Sequence, residues 1–226
     1  HGANVVVSSR KLDQCEATVA EINERCGREA AIAIACNIGY KDQLQNLVDE
    51  TRSRLGPIDT LIANAGVNPF YGPMSEIPDE AFDKTMNSNL RSNHWLCQMV
   101  APDMLAKKRG AIMITASVGA FGPSDTLGTY NISKMADIAL VRNLAMEWGP
   151  EGVRVNALCP GLIRTDFAKA LWDNPEAAKR VTEQTPLRRF GEAEDFKGIA
   201  VFVASDASAY VTGQALTVCG GTHMFR

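Results

Sequence analysis

The sequence predicts an α/β fold, a single domain built on a doubly wound parallel sheet. Three observations carry this. Short apolar runs alternate with longer segments of helical period along the whole chain. The apolar runs are hydrophobic at consecutive positions, as in strands covered on both faces, and lack the in–out alternation of a half-exposed antiparallel sheet. Strand–helix–strand order implies parallel pairing, because a parallel crossover needs a long connection, usually a helix.

The elements follow in order. Asn4-Val5-Val6-Val7-Ser8-Ser9 reads as a strand, and 11–26 as a helix with Leu12, Cys15, Val19 and Ile22 on one stripe. Ala30–Ala35 is the second strand. Residues 41–55 form a helix whose apolar face is Leu44, Leu47, Val48 and Leu55, stopped by Gly56-Pro57. Ile58–Ala63 is the third strand, 79–107 a long helix, and Ala111–Ala116 the fourth strand. A helix over 127–148 closes at Gly149-Pro150, and Val153–Leu158 is the fifth strand. Residues 165–189 form a helical excursion punctuated by Pro175 and Pro186, 192–204 are helical again, and Ala215–Cys219 is the last strand.

A chain of 226 residues suits one domain. With 46% hydrophobic and 22% charged residues, it has the composition of a folded globular protein and not of a disordered one. The net charge of −3 lacks the basic excess of a general nucleic-acid binder. No apolar run approaches the ~18 residues of a membrane span, and no stretch reads as a signal peptide. The six cysteines are scattered with no C-x-x-C, which suits unpaired thiols in a reducing compartment. A cytoplasmic location is therefore expected, with no nucleic-acid or membrane partner. The three histidines (1, 94, 223) stand far apart in sequence, so no metal is expected.

In a doubly wound sheet, ligands bind outside the carboxyl ends of the strands. Those ends carry Ser9-Arg10, Asn37, Asn64-Ala65-Gly66, Ser117 and Pro160-Gly161, all small, polar or turn-forming. Tyr130 and Lys134 share one helix face by their spacing. An ammonium beside a phenol favours the phenolate and brings Tyr130 towards use as a general acid or base. A solvated helix face has the same spacing, so the pair gains weight only from its surroundings.

Those surroundings resemble the short-chain dehydrogenase/reductase family. The matching stretches are Ala63-Asn64-Ala65-Gly66, Ser88-Asn89-Leu90, Thr115-Ala116-Ser117-Val118-Gly119, Tyr130-Asn131-Ile132-Ser133-Lys134, and Asn156 through Thr165. They cover essentially the whole chain and, taken together, are specific. The resemblance implies a Rossmann-type sheet and a role for each matching residue. Tyr130 would be the catalytic acid/base. Lys134 would hold the nicotinamide ribose and lower the pKa of Tyr130. Ser117 would hydrogen-bond the substrate oxygen, and Asn89 would support a water-linked proton relay to Lys134. Asn64, Ala65 and Gly66 would line the adenine–ribose side. Pro160, Gly161, Ile163 and Thr165 would embrace the nicotinamide. The cofactor would carry the redox chemistry while protein groups handle the proton.

Three departures stand out. The family opens with a strand and a T-G-x-x-x-G-x-G phosphate loop, and neither is present in the given sequence. The first strand–helix unit is thus missing. The chain is expected to be an N-terminally incomplete part of a longer one, with an opened sheet between the strands at 4–9 and 58–63. Asn37-Ile38 replaces the family's Asp followed by an apolar residue, and Asn37 is still able to bond an adenine edge. Val218-Cys219-Gly220-Gly221 replaces a frequent Val-Asp-Gly-Gly, where Cys219 reads as packing.

Cofactor choice is read at the end of the first strand, Ser8-Ser9-Arg10-Lys11, which has no carboxylate before Asp13. Asp or Glu there would bond a ribose 2′-hydroxyl, whereas Arg accommodates a 2′-phosphate. Ser9 and Arg10 therefore favour NADP(H), with NAD(H) the alternative. The loops at 67–75, 118–127 and 165–189 would frame the substrate, the last as the substrate-loop excursion of the domain. They carry Phe70, Tyr71, Phe121, Leu127, Phe167, Leu171 and Trp172, an apolar wall suited to an uncharged ketone, aldehyde or secondary alcohol. Some of these aromatics would pack the loops instead. The wording at 7–11, with Asn68-Pro69, looks like the carbonyl-reductase branch. His94 reads as a core or partner-facing residue.

The resemblance also implies a homo-tetramer or homo-dimer packed through the long helices. A face at Leu140, Leu144 and Met146 suits that reading or an internal core equally. A second class of function stays in view: a dinucleotide-binding sensor or scaffold without turnover. Such members typically lose the Tyr or Lys, and here Asn89, Ser117, Tyr130 and Lys134 are all present, which argues for an enzyme. The missing N-terminal unit argues the other way.

Overall fold

Two parallel sheets organise the computed structural model, which describes residues 1–224. In the first, β1 (Val5–Ser9) pairs with β2 (Ala31–Ala35), Val5 opposite Ala31. The second runs β3 (Thr60–Ala63), β4 (Gly110–Thr115), β5 (Val153–Pro160), β6 (Ala215–Val218), with parallel pairing throughout. The helices are α1 (Leu12–Cys26), α2 (Lys41–Leu55), α3 (Asp79–Met86), α4 (Ser92–Lys107), α5 (Gly128–Trp148), α6 (Lys169–Trp172), α7 (Pro175–Gln184) and α8 (Lys197–Ala204).

β4 shows how both faces of a strand are used. Ile112 and Ile114 enter the main core, which Leu44 and Val48 of α2, Val100 and Met104 of α4, and Ile138 and Val141 of α5 complete. Met113, between the two isoleucines, points the other way, to Leu158 and Val203 and the partly buried residues of α8. Helices therefore cover both faces, as the apolar runs require.

Among the described residues β1 and β3 share no ladder, so the sheet is interrupted between them, at the position the resemblance pointed to. Val5 on β1 and Ile62 on β3, the two strands that border the interruption, both keep exposed apolar side chains. So does Leu12, which opens α1 and which the periodicity placed on that helix's apolar stripe.

The long helix over 79–107 is helical from end to end, but it is not a single α-helix. One turn of π-helix, Asn87–Arg91, separates α3 from α4. The 165–189 excursion divides into a 3-10 turn at Asp166–Ala168, then α6 and α7. Pro175 takes the first turn of α7, where no N–H is needed, and the Asn174 side chain accepts from the backbone N–H groups of Glu176 and Ala177. β5 extends two residues beyond its expected end, to Pro160. Of the Leu140–Met146 face, Leu144 belongs to the core and Leu140 packs against it, while Met146 is 81% exposed. Among the described residues no helix is long and apolar enough to cross a membrane.

Candidate active site

Helix α5 places Tyr130 and Lys134 one turn apart, facing the carboxyl ends of β3 and β4. Lys134 is buried. Its Nζ donates to the Thr115 carbonyl at 2.8 Å and to Asp137 Oδ2 at 3.1 Å. It stands 5.9 Å from the centroid of the Tyr130 ring. A Cβ at Gly66 would lie 3.4 Å from that Nζ and 3.5 Å from Asn89 Oδ1, so the β3 loop packs directly against the lysine and the asparagine. Asn64 is fixed beside it, its Oδ1 accepting from the Thr115 hydroxyl at 3.1 Å.

Ser117 follows β4 in extended backbone and begins a 3-10 turn, Val118–Phe121, its Oγ accepting from Gly119 N–H at 3.1 Å. Asn131, next to Tyr130, donates through Nδ2 to the Gly122 carbonyl at 3.2 Å. The serine turn and the tyrosine helix are thereby clamped together. The Tyr130 pKa moves up, not down. Burial is the main cause and the negative charge of Asp137 adds to it, while hydrogen bonding with Ser117 pulls the other way. Lys134, the group expected to lower it, bonds Asp137 and the Thr115 carbonyl, while the phenol is half-buried.

Asn89 lies in the π turn and is fully buried. Its Oδ1 accepts from Val67 N–H at 2.7 Å, and its Nδ2 donates to the Val67 carbonyl at 2.9 Å and to Ser133 Oγ at 2.9 Å. One amide thus ties the β3 loop to α5. π turns recur at functional sites, where a wider backbone re-aims side chains. The Asn89 carbonyl accepts from Asn93 Nδ2 at 2.6 Å, and the same Nδ2 reaches Asp137 Oδ1 at 2.9 Å. Asn93 and Asp137 were not singled out from the sequence. They meet across α4 and α5, 44 residues apart, and no local spacing announces that contact.

The remaining residues fall into three groups. Phe70 and Leu127 line a narrow cleft with Tyr130, and the Phe167 ring lies 6.0 Å from that of Tyr130. Phe121 stacks on His223 at 4.4 Å and packs against the main core, and Tyr71 is exposed. Trp172 donates its indole N–H to the Thr165 carbonyl at 2.8 Å, and Leu171 beside it in α6 is half-buried.

The second group continues β5. Pro160 ends the strand, and Gly161 N–H donates to the Val218 carbonyl at 3.0 Å. Ile163 bridges to Gly191, and Thr165 Oγ1 bonds the Ile163 carbonyl at 3.4 Å. The third group stands on the other sheet. Ser9 Oγ is engaged by Lys11 and by the Cys15 thiol, and Arg10 is exposed. Asn37 Oδ1 accepts from Gly39 N–H, and Ile38 packs on the main core.

The residues that end β3, β4 and β5 are small or polar, and the Lys134 ammonium lies beside Gly66, a chemistry that would suit the ribose and nicotinamide side of a dinucleotide. No glycine-rich phosphate loop lies among the described residues. Also among the described residues, no group of three or more His, Cys, Asp or Glu is placed to hold a metal.

Known proteins share this arrangement. The family model described as enoyl-(acyl carrier protein) reductase matches residues 1–223. Dehydrogenase/reductase SDR family member 4 of Homo sapiens is 37% identical over 222 residues, which are 98% of this chain and 79% of that protein. The protein of the same name from Oryctolagus cuniculus is 36% identical over 97% of this chain and 84% of its own length.

Solved structures agree. A 7α-hydroxysteroid dehydrogenase complexed with NADH and 7-oxo glycochenodeoxycholic acid superposes with a TM-score of 0.92 at 36% identity, covering 97% of this chain and 84% of that one. A gluconate 5-dehydrogenase from Burkholderia cenocepacia in complex with NADP and tartrate gives 0.90 at 30% identity, covering 98% and 86%. Sequence motifs, fold and relatives converge, and the chain belongs to the short-chain dehydrogenase/reductase family of nicotinamide-dependent oxidoreductases.

Proposed function

We propose that this protein interconverts a carbonyl and a secondary alcohol on an uncharged small molecule, with NADP(H) as the preferred cofactor and Tyr130 as acid/base. The observation that carries the reading is the nearness of three groups: the half-buried Tyr130 phenol, the Ser117 hydroxyl it hydrogen-bonds, and the Lys134 ammonium 5.9 Å from the ring centroid. When bound, the cofactor supplies or accepts the hydride. The protein handles the proton. In reduction, Tyr130 in its neutral form donates its phenolic proton to the oxygen of the former carbonyl, with Ser117 holding that oxygen. In oxidation, the phenolate takes the proton back.

The raised Tyr130 pKa sets the sign of the pH response. The neutral acid persists to higher pH, so reduction holds through neutrality and falls only in alkali, while oxidation rises with pH. Lys134 would bond the nicotinamide ribose, with Asn64, Ala65 and Gly66 beside the adenine–ribose half. Pro160, Gly161, Ile163 and Thr165 would hold the carboxamide end. Phe70, Phe121, Phe167, Leu171 and Trp172 would form the apolar wall. A homo-oligomer, dimer or tetramer, is part of the proposal, supported by Ile132, Met135 and Met146 exposed along α5. So is a cytoplasmic location, although one relative is Dehydrogenase/reductase SDR family member 2, mitochondrial, of Homo sapiens.

The test is Tyr130→Phe, which deletes only the phenolic oxygen. NADPH-dependent reduction of ketones should fall by three orders of magnitude or about that, given the usual 10²–10⁴-fold contribution of a positioned acid. NADPH binding, followed by fluorescence titration, should be retained. A variant that keeps wild-type turnover overturns the assignment. A wild type that binds NADPH and turns over neither ketone nor alcohol points to the sensor reading. One that reduces an enoyl thioester in preference to a ketone points to the chemistry named in the family model.

A further inference from the structure

We infer that Asp137 is a positioning residue for the acid/base step: its carboxylate pins the Lys134 ammonium and opposes ionisation of Tyr130. This deepens the proposed function and rests on it. The geometry is specific. Asp137 is fully buried on α5, one turn beyond Lys134. Oδ2 accepts from Lys134 Nζ at 3.1 Å and Oδ1 from Asn93 Nδ2 at 2.9 Å, so each carboxylate oxygen has its own donor. Asn93 in turn bonds the Asn89 carbonyl at 2.6 Å. A chain of buried polar groups thus runs from the β3 loop, through Asn89 and Asn93, to Asp137 and Lys134.

A carboxylate is costly in such a place unless it is paired and hydrogen-bonded. The pairing has a consequence for the cleft. A lone ammonium beside Tyr130 would favour the phenolate. An ion pair presents a field that falls off faster, and its negative end disfavours the phenolate. Two of the three lysine N–H groups are also committed, to Thr115 and Asp137, so the third is aimed instead of free to wander. Asp137 therefore acts through Lys134 and Tyr130 and touches neither substrate nor cofactor.

The other charged or titratable groups near Asp137 do not compete for this role. Cys97 on α4 is pushed up to about 12 and Cys159 on β5 to about 11, both by burial first, so both stay neutral thiols across the assay range. Asp83 and Lys84 on α3, Arg91 in the π turn and Glu151 after α5 lie exposed. Arg154 on β5 is occupied elsewhere, by the Val203 and Ser205 carbonyls. β4 and the turn over Val118–Phe121 contribute no ionisable side chain.

The experiment is the pH profile of kcat/KM for alcohol oxidation with NADP in wild type, Asp137→Asn and Asp137→Ser, beside Tyr130→Phe. The wild-type rate should rise with a single ionisation. In Asp137→Asn that ionisation should move down by about 1 pH unit, the lower end of the shift a nearby charge produces. One unit below the wild-type midpoint, the variant would then run at about five times the wild-type fraction of its own plateau. Asp137→Ser, with a smaller side chain that keeps an acceptor, should move the midpoint the same way.

An unmoved midpoint in a folded variant, or a shift upward, overturns the inference. So does a failure of both variants to fold, which would make the residue structural. The control separates this from the parent reading. If Tyr130→Phe retains turnover, the proposed function fails. If Tyr130→Phe is dead and the Asp137 midpoints stay put, only the present inference fails.

Discussion

Under the proposed NADP reading, cofactor choice would turn on Arg10. It follows β1 and is exposed, while Ser9 before it is partly engaged by the backbone of Lys11. The phosphate-selective role would then fall on the arginine, with the serine hydroxyl as a lesser donor. Charge-assisted bonds to phosphate are worth tenfold to a hundredfold each, so Arg10→Ala should weaken NADPH binding by a factor on the order of that range. NADH should be little affected. Steady-state kcat/KM with each cofactor checks this, and equal loss with both would remove the argument for NADP.

At this same scale the sequence was informative about chemistry and uninformative about charge balance. Ser117, Tyr130, Lys134 and Asn89 are legible because each sits in a local pattern. Asn93 meets Asp137 only across two helices, and the i,i+3 spacing of Lys134 and Asp137 is one that any solvated ion pair shares. The direction of the Tyr130 pKa depends on burial, which residue spacing does not reveal.

Among the elements, the ends of the paired strands β5 and β6 make a steric demand on the site that is set by backbone. A Cβ at Gly161 would fall 2.8 Å from Cys219 Cα and 2.9 Å from Cys219 Cβ, and neither atom is able to swing aside. Gly161→Ala should therefore spread the ends of these strands and destabilise the fold by about 1–3 kcal/mol, read as a lower urea midpoint with unchanged slope. Gly122→Ala is the matched control. It has nothing within 4 Å and should be close to neutral.

Strands and long helices were readable here because hydrophobic period reports burial directly. The π turn was not, since a widened hydrogen-bond step has no residue signature. Asn87–Arg91 reads like any helical segment, yet it is this turn that carries Asn89. The extension of β5 to Pro160 was hidden for a related reason: Cys159-Pro160 reads as a turn until its partner Thr217-Val218 is in place.

For the whole molecule, the parallel sheet was legible in the alternation of strands and helices, and the place of its interruption came from the family resemblance alone. The interruption leaves the proposed cofactor contacts on two separate sheets. Ser9, Arg10 and Asn37 belong to the β1–β2 pair or its loops, while Asn64, Ser117, Pro160 and Thr165 follow strands of the four-stranded sheet.

A dinucleotide long enough to touch both sets would therefore bridge two sheets that one packed core, through Cys36, Leu44 and Val48, already joins. Each half alone, an adenosine phosphate or a nicotinamide ribotide, would meet only one sheet. Joined, the second contact forms at the effective concentration set by the first, often in the millimolar range for short linkages. Intact NADP should thus raise the melting temperature well beyond an equimolar mixture of its two halves, since its second contact forms within the same complex. Equal shifts from the mixture and the intact molecule would mean that one ligand does not engage both sheets. The ligand and the side chains of α2 would then join the same two sheets by different means, one through its two ends and the other through Leu44 and Val48.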